Sequence, residues 1–313
     1  MQLLESWLYM YLKYYLKCLG YYNLPEFLIK YLNSPSLLRL KNIGYFCGMD
    51  YASKDIYNFR EFISRYDHSV TVSLMVYKLT NDKRAALAGL FHDIATPCFS
   101  HVIDYMNGDY ENQESTEEYT EYILKNDEYL VKCLKSDGFE ISDVSDFKKY
   151  SVVDNDRPKA CADRIDGVIL TGIGWTKNID MCDIDSIVNN MAIFINEYRE
   201  YEIGFKSTNV AKKVVDVSKS IDIYCHSRED NYMMQLLARI TKISIEKGYI
   251  SYNNLYSLDE KTLLLILKSK NDIDLMNLII EFETKKKKDI PDFDMPKVKV
   301  RSLNPLVNGK RLL

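Results

Sequence analysis

Apolar residues recur at three- and four-residue steps along most of this chain, the spacing of one helix face. In the first segment Leu4, Leu8, Tyr11, Leu12 and Tyr15 follow it, and the spacing predicts a helix packed on the core. The same period runs through 68–80, 83–94, 115–135, 156–170, 186–201, 229–247, 258–269 and 271–287. Period-two alternation is confined to short runs such as "KVKVRSL" near the end. The expected fold is all-α, a helical bundle with a helical C-terminal extension and a short irregular or β tail. Gly, Asn and Asp cluster in "GIGWTKNIDMCDID", 172–185, which marks an internal boundary. The chain then divides into 1–171, a helical region 172–288 and a basic tail 289–313.

Composition changes this picture in three respects. The formal charge is 41 minus 45, or −4, so no global polycation exists for nucleic acid. The tail is the exception: residues 285–313 carry Lys285 to Lys288, Lys297, Lys299, Arg301, Lys310 and Arg311 against three aspartates, which leaves nucleic acid open as a partner. Seven cysteines lack CxxC spacing and are odd in number, an arrangement of reduced thiols in a cytoplasm. Glu5, Lys13 and Lys17 interrupt the apolar N-terminus, so neither a membrane span nor a signal peptide is expected. "GIGWTKN" lacks the Lys-Ser/Thr of a phosphate-cradling P-loop.

Candidate chemistry concentrates in "GLFHDIATPCFSHV", 89–102, which holds two of only four histidines. Neighbouring helical residues point about 100° apart, so His92 and Asp93 share one ion only near a helix end. Upstream, His68 begins another periodic stretch; downstream, Asp163 lies on a third. Two imidazoles and two carboxylates form a ligand set suited to a divalent transition ion. His226, the remaining candidate besides His101, reads as a surface or packing residue. The 25 tyrosines read mainly as core and rim, with Tyr45 and Phe46 close to the expected mouth of the site.

The order H…HD…D, with 24 residues from His68 to His92 and 70 from Asp93 to Asp163, resembles the HD-domain metal-dependent phosphohydrolases. More narrowly it resembles their deoxynucleoside triphosphate triphosphohydrolase branch, which includes the SAM-and-HD-domain and dGTPase-like proteins. The family's RxxHS is Arg65-Tyr66-Asp67-His68-Ser69 here, its HDxxHxPFSH is "HDIATPCFSH", and its ADKxDY is Ala162 to Gly167. "SPSLLRLKNIGYF" is similar to the stretch that precedes the first histidine, with Asn42-Ile43-Gly44 as its turn.

The resemblance covers roughly residues 30–170 and makes 1–171 an HD domain. It implies that His68, His92, Asp93 and Asp163 hold one divalent ion (Mn, Fe, Ni, Zn or Mg). It implies phosphate contacts from Arg65 and Arg164, whose guanidinium forks stay charged. His101 would touch phosphate or relay a proton, Asp93 or another carboxylate ordered beside the ligands would accept the proton, and Asn42 and Glu114 would be further substrate contacts. Such an ion lowers the pKa of bound water and polarises a phosphoryl oxygen.

Three positions depart from the family pattern. Thr96 and Gln113 stand where the family has histidines, and Gly167 stands where it has a tyrosine. Thr and Gln form hydrogen bonds but supply no proton near neutral pH. The expected function is hydrolysis of a phosphate ester, with a nucleotide or another phosphorylated small molecule as substrate. The alternative is a catalytically weakened protein that binds nucleotide as a sensor or scaffold. A homo-oligomer is left open.

Overall fold

The computed structural model describes residues 10–113 and 119–313, so Leu4, Leu8 and the expected contact Glu114 lie outside the described residues. The chain is predominantly helical, as its periodicity predicts. Helices of six or more residues among those described are α1 (Met10–Leu19), α2 (Arg65–Thr80), α3 (Lys83–Phe91), α4 (Val102–Asn107), α5 (Thr120–Asn126), α6 (Glu128–Ser136), α7 (Ala162–Gly174), α8 (Met181–Asn190), α9 (Thr208–Cys225), α10 (Arg228–Glu246), α11 (Glu260–Lys268) and α12 (Ile273–Thr284). None of the described helices is long and apolar enough to cross a membrane. All seven cysteines are free.

Helix α2 forms the centre. A capping box opens it: the Ser64 hydroxyl accepts from the Asp67 N–H at 3.1 Å, and Asp67 accepts from the Ser64 N–H at 2.9 Å. Asn81 closes it in the left-handed conformation at φ 55°. Nearly every residue from Arg65 to Val76 is buried, so α2 has no solvent face. It packs on α3 and α7, and α7 in turn packs on α9. These contacts set three ligand-bearing stretches side by side.

Several boundaries differ from the periodic reading. The 83–94 stretch leaves the helix at Phe91, and 115–135 is broken at Asp127. The Asp127 carboxylate caps α6 through the Leu130 N–H at 3.0 Å and also accepts from Ser34 and Ser36, both at 3.1 Å, which pins the break. The 156–170 stretch becomes helical only at Ala162, because Pro158 disfavours helix at the residue before it.

The largest correction is 186–201, expected as helix. Helix α8 ends at Asn190, and β1 (Met191–Ile195) pairs antiparallel with β2 (Tyr201–Phe205). Branched and aromatic side chains favour this pleated arrangement. The Asn196 side chain accepts from the N–H groups of Tyr198 and Glu200 and folds the connection back. The tail then completes a four-stranded sheet. β3 (Leu306–Val307) runs parallel to β2, and β4 (Lys310–Arg311) runs antiparallel to β3. A Cβ at Gly204 would lie 2.5 Å from the Leu306 carbonyl, so glycine is required at this crossing. "KVKVRSL" itself forms no strand; it runs as an extended strap ahead of β3.

Candidate metal centre and its cleft

His92 and Asp93 sit immediately beyond the end of α3, the position from which both reach one point. His68 projects from the first turn of α2 and Asp163 from the first turn of α7. His68 Nε2 lies 3.2 Å from His92 Nε2, 3.0 Å from Asp163 Oδ1 and 3.7 Å from Asp93 Oδ2. His92 Nε2 lies 3.4 Å from Asp163 Oδ1 and 3.9 Å from Asp93 Oδ1.

The donor set fits a divalent cation on chemical grounds. His92 Nδ1 is 2.8 Å from the Gly89 carbonyl, one of the open acceptors in the last turn of α3. A carbonyl only accepts, so Nδ1 carries the proton and Nε2 offers a lone pair. His68 Nδ1 is 2.7 Å from Asp166 Oδ2, and the other oxygen of that carboxylate accepts from the Tyr15 hydroxyl at 2.5 Å. Both Nε2 atoms therefore face one another among carboxylate oxygens, where a bound cation would take the place of any proton on them. Transition-ion bonds of roughly 2.0–2.2 Å put neighbouring donors about 3 Å apart. His68, His92 and Asp163 stand at 3.0–3.4 Å from one another, and Asp93 stands further off at 3.7–3.9 Å from the imidazoles.

The electrostatics agree. Burial would lower the His68 pKa, yet the hydrogen bonds its ring donates to the Asp163 and Asp166 carboxylates push it up to about 10 in the absence of a cation. Burial would raise the Asp93 carboxyl, but Arg65 and the two imidazoles hold it below the usual carboxylate range. The site is thus anionic enough to retain positive charge. Asp154 and Cys161 form a further donor group that shares Asp163.

Other expected residues divide into those near this centre and those elsewhere. Arg65 donates to Asp93 Oδ2 at 2.8 Å and to the Ser100 hydroxyl at 3.2 Å, with its guanidinium over the Tyr45 ring. His101 lines the same cleft, its Nδ1 2.9 Å from Asp104 Oδ2. Burial holds His101 below its ordinary value despite that hydrogen bond. Arg164 also lines the cleft, but its guanidinium is committed to the 155–159 loop, donating to Asn155 Oδ1 at 2.8 Å, the Asn155 carbonyl at 2.6 Å and the Lys159 carbonyl. Asn42 is exposed at the end of a short turn and does not line the cleft.

The departures acquire structural meaning. Thr96 is buried outside the cleft lining, its carbonyl accepting from Arg39 at 2.6 Å. Gln113 lines the cleft and accepts from Arg301 at 3.2 Å. A Cβ at Gly167 would lie 2.8 Å from the Tyr45 hydroxyl, so a phenol from another part of the chain occupies the space beside this residue. His226 is bound to the Asp222 carbonyl at 2.7 Å, a packing role.

The cleft holds about 730 Å³. One wall is aromatic: Phe46 stacks on Phe59 at 4.3 Å, and Trp175 meets both rings edge-on. Sequence reasoning missed Asp166, Tyr15, Arg157 and Arg301. For Asp166 a signal existed, since it lies three residues after Asp163 and helix spacing puts both on one face. For the others the contacts join distant segments.

Residues 65–144 match the HD domain family. An uncharacterised protein of Bacillus subtilis (strain 168), YdhJ, is 26% identical over 259 residues, covering 81% of this chain and 74% of the relative. The match includes His68, His92, Asp93 and His101, while Asp163 arrives from α7 beyond it. Residues 65–144 thus correspond to the HD domain, and of the matched histidines and aspartates His92, Asp93 and His101 line the cleft.

Proposed function

We propose that this protein is a metal-dependent phosphohydrolase acting on a phosphate ester, with a nucleotide as the best-fitting substrate class. The observation that carries the reading is the convergence of two imidazole Nε2 atoms with Asp93 and Asp163 beside the Arg65 guanidinium. His68, His92, Asp93 and Asp163 would hold one divalent ion, which when bound would polarise the phosphoryl group and acidify water. Arg65 holds Asp93 in place and presents its remaining N–H donors toward phosphate. The aromatic wall suits a planar base.

Proton traffic falls to His101 rather than Asp93. Arg65 keeps the Asp93 carboxyl too acidic to take a proton near neutral pH. His101 is neutral there, with Nδ1 turned to Asp104 and Nε2 left to accept. The narrower triphosphohydrolase assignment rests on the motifs alone, and Thr96 and Gln113 argue for weak protonation of poor leaving groups. The test is elemental analysis of stripped and reloaded protein, followed by phosphate release from a nucleotide panel and an activated aryl phosphate. Tight nucleotide binding with no cleavage of any of them would make the protein a sensor instead.

A further inference from the structure

We propose that Arg157 and Arg301 form a second phosphate-binding subsite in the same cleft, for a phosphate group other than the one at the metal centre. Only the link to turnover rests on the phosphohydrolase reading; the subsite itself rests on geometry.

The two guanidiniums come from distant segments, the loop before α7 and the C-terminal strap. Arg157 donates to the Ser302 carbonyl at 3.1 Å, and the Asn304 N–H donates to the Pro158 carbonyl at 2.8 Å, so loop and strap are tied together. Arg301 is seated by its backbone: its N–H donates to Asp222 at 2.7 Å and its carbonyl accepts from Ser218 at 3.2 Å. Its side chain donates to the Lys299 carbonyl at 3.1 Å and to Gln113 Oε1 at 3.2 Å. Every one of these side-chain acceptors is neutral.

Among the described residues, neither guanidinium makes an ion pair with a carboxylate. Each offers five N–H donors, of which Arg157 uses one and Arg301 two. Both line the cleft of the metal centre and His101. They also repel: burial, then Arg164 and Arg301, bring Arg157 down to about 10, outweighing the opposite pull of Asp163. Asp230 acts on Arg301 from a distance, but burial pushes its own carboxyl up to about 6, and the Tyr57 hydroxyl occupies it at 2.7 Å.

A purely structural role explains little of this. The strap is already fastened by backbone contacts of Arg301 and Asn304. Holding two like charges in a partly desolvated cleft is costly unless an anion joins them. Planar forks with open donors match phosphate oxygens. The occupant is a phosphate group, either a second one on the substrate or one on a free polyphosphate effector.

The experiment uses the full chain with Arg157→Gln, Arg301→Gln and the double variant, each checked by thermal melting. Calorimetric binding of tripolyphosphate to metal-free protein is the first readout. The double variant should bind at least tenfold more weakly; unchanged affinity in folded protein overturns the subsite. Should the double variant not fold, Arg301→Lys carries the test, since it keeps the charge and loses the fork. At least threefold weaker binding is expected, and wild-type affinity overturns the proposal.

In metal-loaded protein, KM for a nucleoside triphosphate should rise tenfold with Arg301→Gln, while KM for an aryl monophosphate stays within twofold. That result assigns the group to the substrate. A tripolyphosphate effect on aryl phosphate cleavage that does not compete with substrate, and that vanishes in the variant, assigns it to an effector. Absence of all turnover with the binding loss intact supports the subsite and rejects the hydrolase reading.

Discussion

His68 Nδ1 lies 2.7 Å from Asp166 Oδ2, and this contact decides which nitrogen of His68 faces the metal centre. His68 is 1% exposed, so no water makes up for a change of carboxylate to amide, whose one oxygen cannot accept from both His68 and the Tyr15 hydroxyl. Asp166→Asn should therefore lower metal affinity by about 10–100-fold, the usual range for a ligand's hydrogen-bond support. Tyr15→Phe, one step further out, should have a smaller effect in the same direction. Competition with a chromogenic chelator measures both, and an Asp166→Asn protein with undiminished affinity would refute the orienting role.

The ligands themselves give a simpler test. His92→Ala with Asp93→Ala would remove one member of the His68, His92 and Asp163 group together with the carboxylate proposed as fourth ligand, leaving too few donors to close the set. Metal content measured by mass spectrometry should drop to background. Full occupancy in that variant would mean the ion sits elsewhere.

In the proposed reaction Arg65 would couple the ion to the substrate. Arg65→Ala should reduce kcat/KM by about 3 kcal/mol, roughly two orders of magnitude, because a charge-assisted contact to phosphate is lost. Metal should still bind at saturating concentration, though Asp93 loses its 2.8 Å partner. Arg65→Lys should recover little, since one ammonium cannot serve both Asp93 and Ser100. Turnover within fivefold of wild type in the alanine variant would count against the assignment.

Gly167 and Tyr45 are predicted to be coupled. Gly167→Ala drives a methyl to within 2.8 Å of the Tyr45 hydroxyl and should cost about 1–3 kcal/mol of stability. Tyr45→Phe removes that oxygen and should relieve most of the cost. A double-mutant cycle by denaturant unfolding reads the coupling, and simple additivity would show that the contact does not matter.

A buried acid pair predicts the pH dependence of stability. Glu260 accepts from the Gly44 and Phe99 N–H groups, both at 3.0 Å, clamping two stretches that flank the site. Burial, with the neighbouring Asp50, pushes Glu260 up to about 8, and burial pushes Asp50 up to about 7. Both folded values exceed the unfolded ones, so the folded state binds more protons in between. Their stabilising share is full below about pH 4 and is lost as pH rises through 7 and 8. Asp50→Asn should flatten the fall in Tm between pH 5 and 9 and raise Tm at pH 9 by a few degrees, for roughly 1–2 kcal/mol. Identical slopes for variant and wild type would sink this account.

The helical class and the H…HD…D order were legible in the sequence because both are local or nearly so. Three- and four-residue periodicity marks the face a helix buries, and His92-Asp93 at the edge of a periodic stretch already implied a helix end. The three-residue step from Asp163 to Asp166 also signals a shared face, a signal that sequence reasoning did not use. Periodicity failed at Met191–Ile195, where the turn held by Asn196 and the strand partner at Tyr201–Phe205 outweighed the helical pattern. Only the tertiary structure decided that Tyr15 would support Asp166, that Tyr45 would occupy the space beside Gly167, and that Arg157 would share a cleft with Arg301. These pairs are separated by many turns of chain. Their meeting depends on how α1 and α7 pack against α2 and on how the C-terminal strap is tied to α9 and the loop before α7, and no local spacing encodes that.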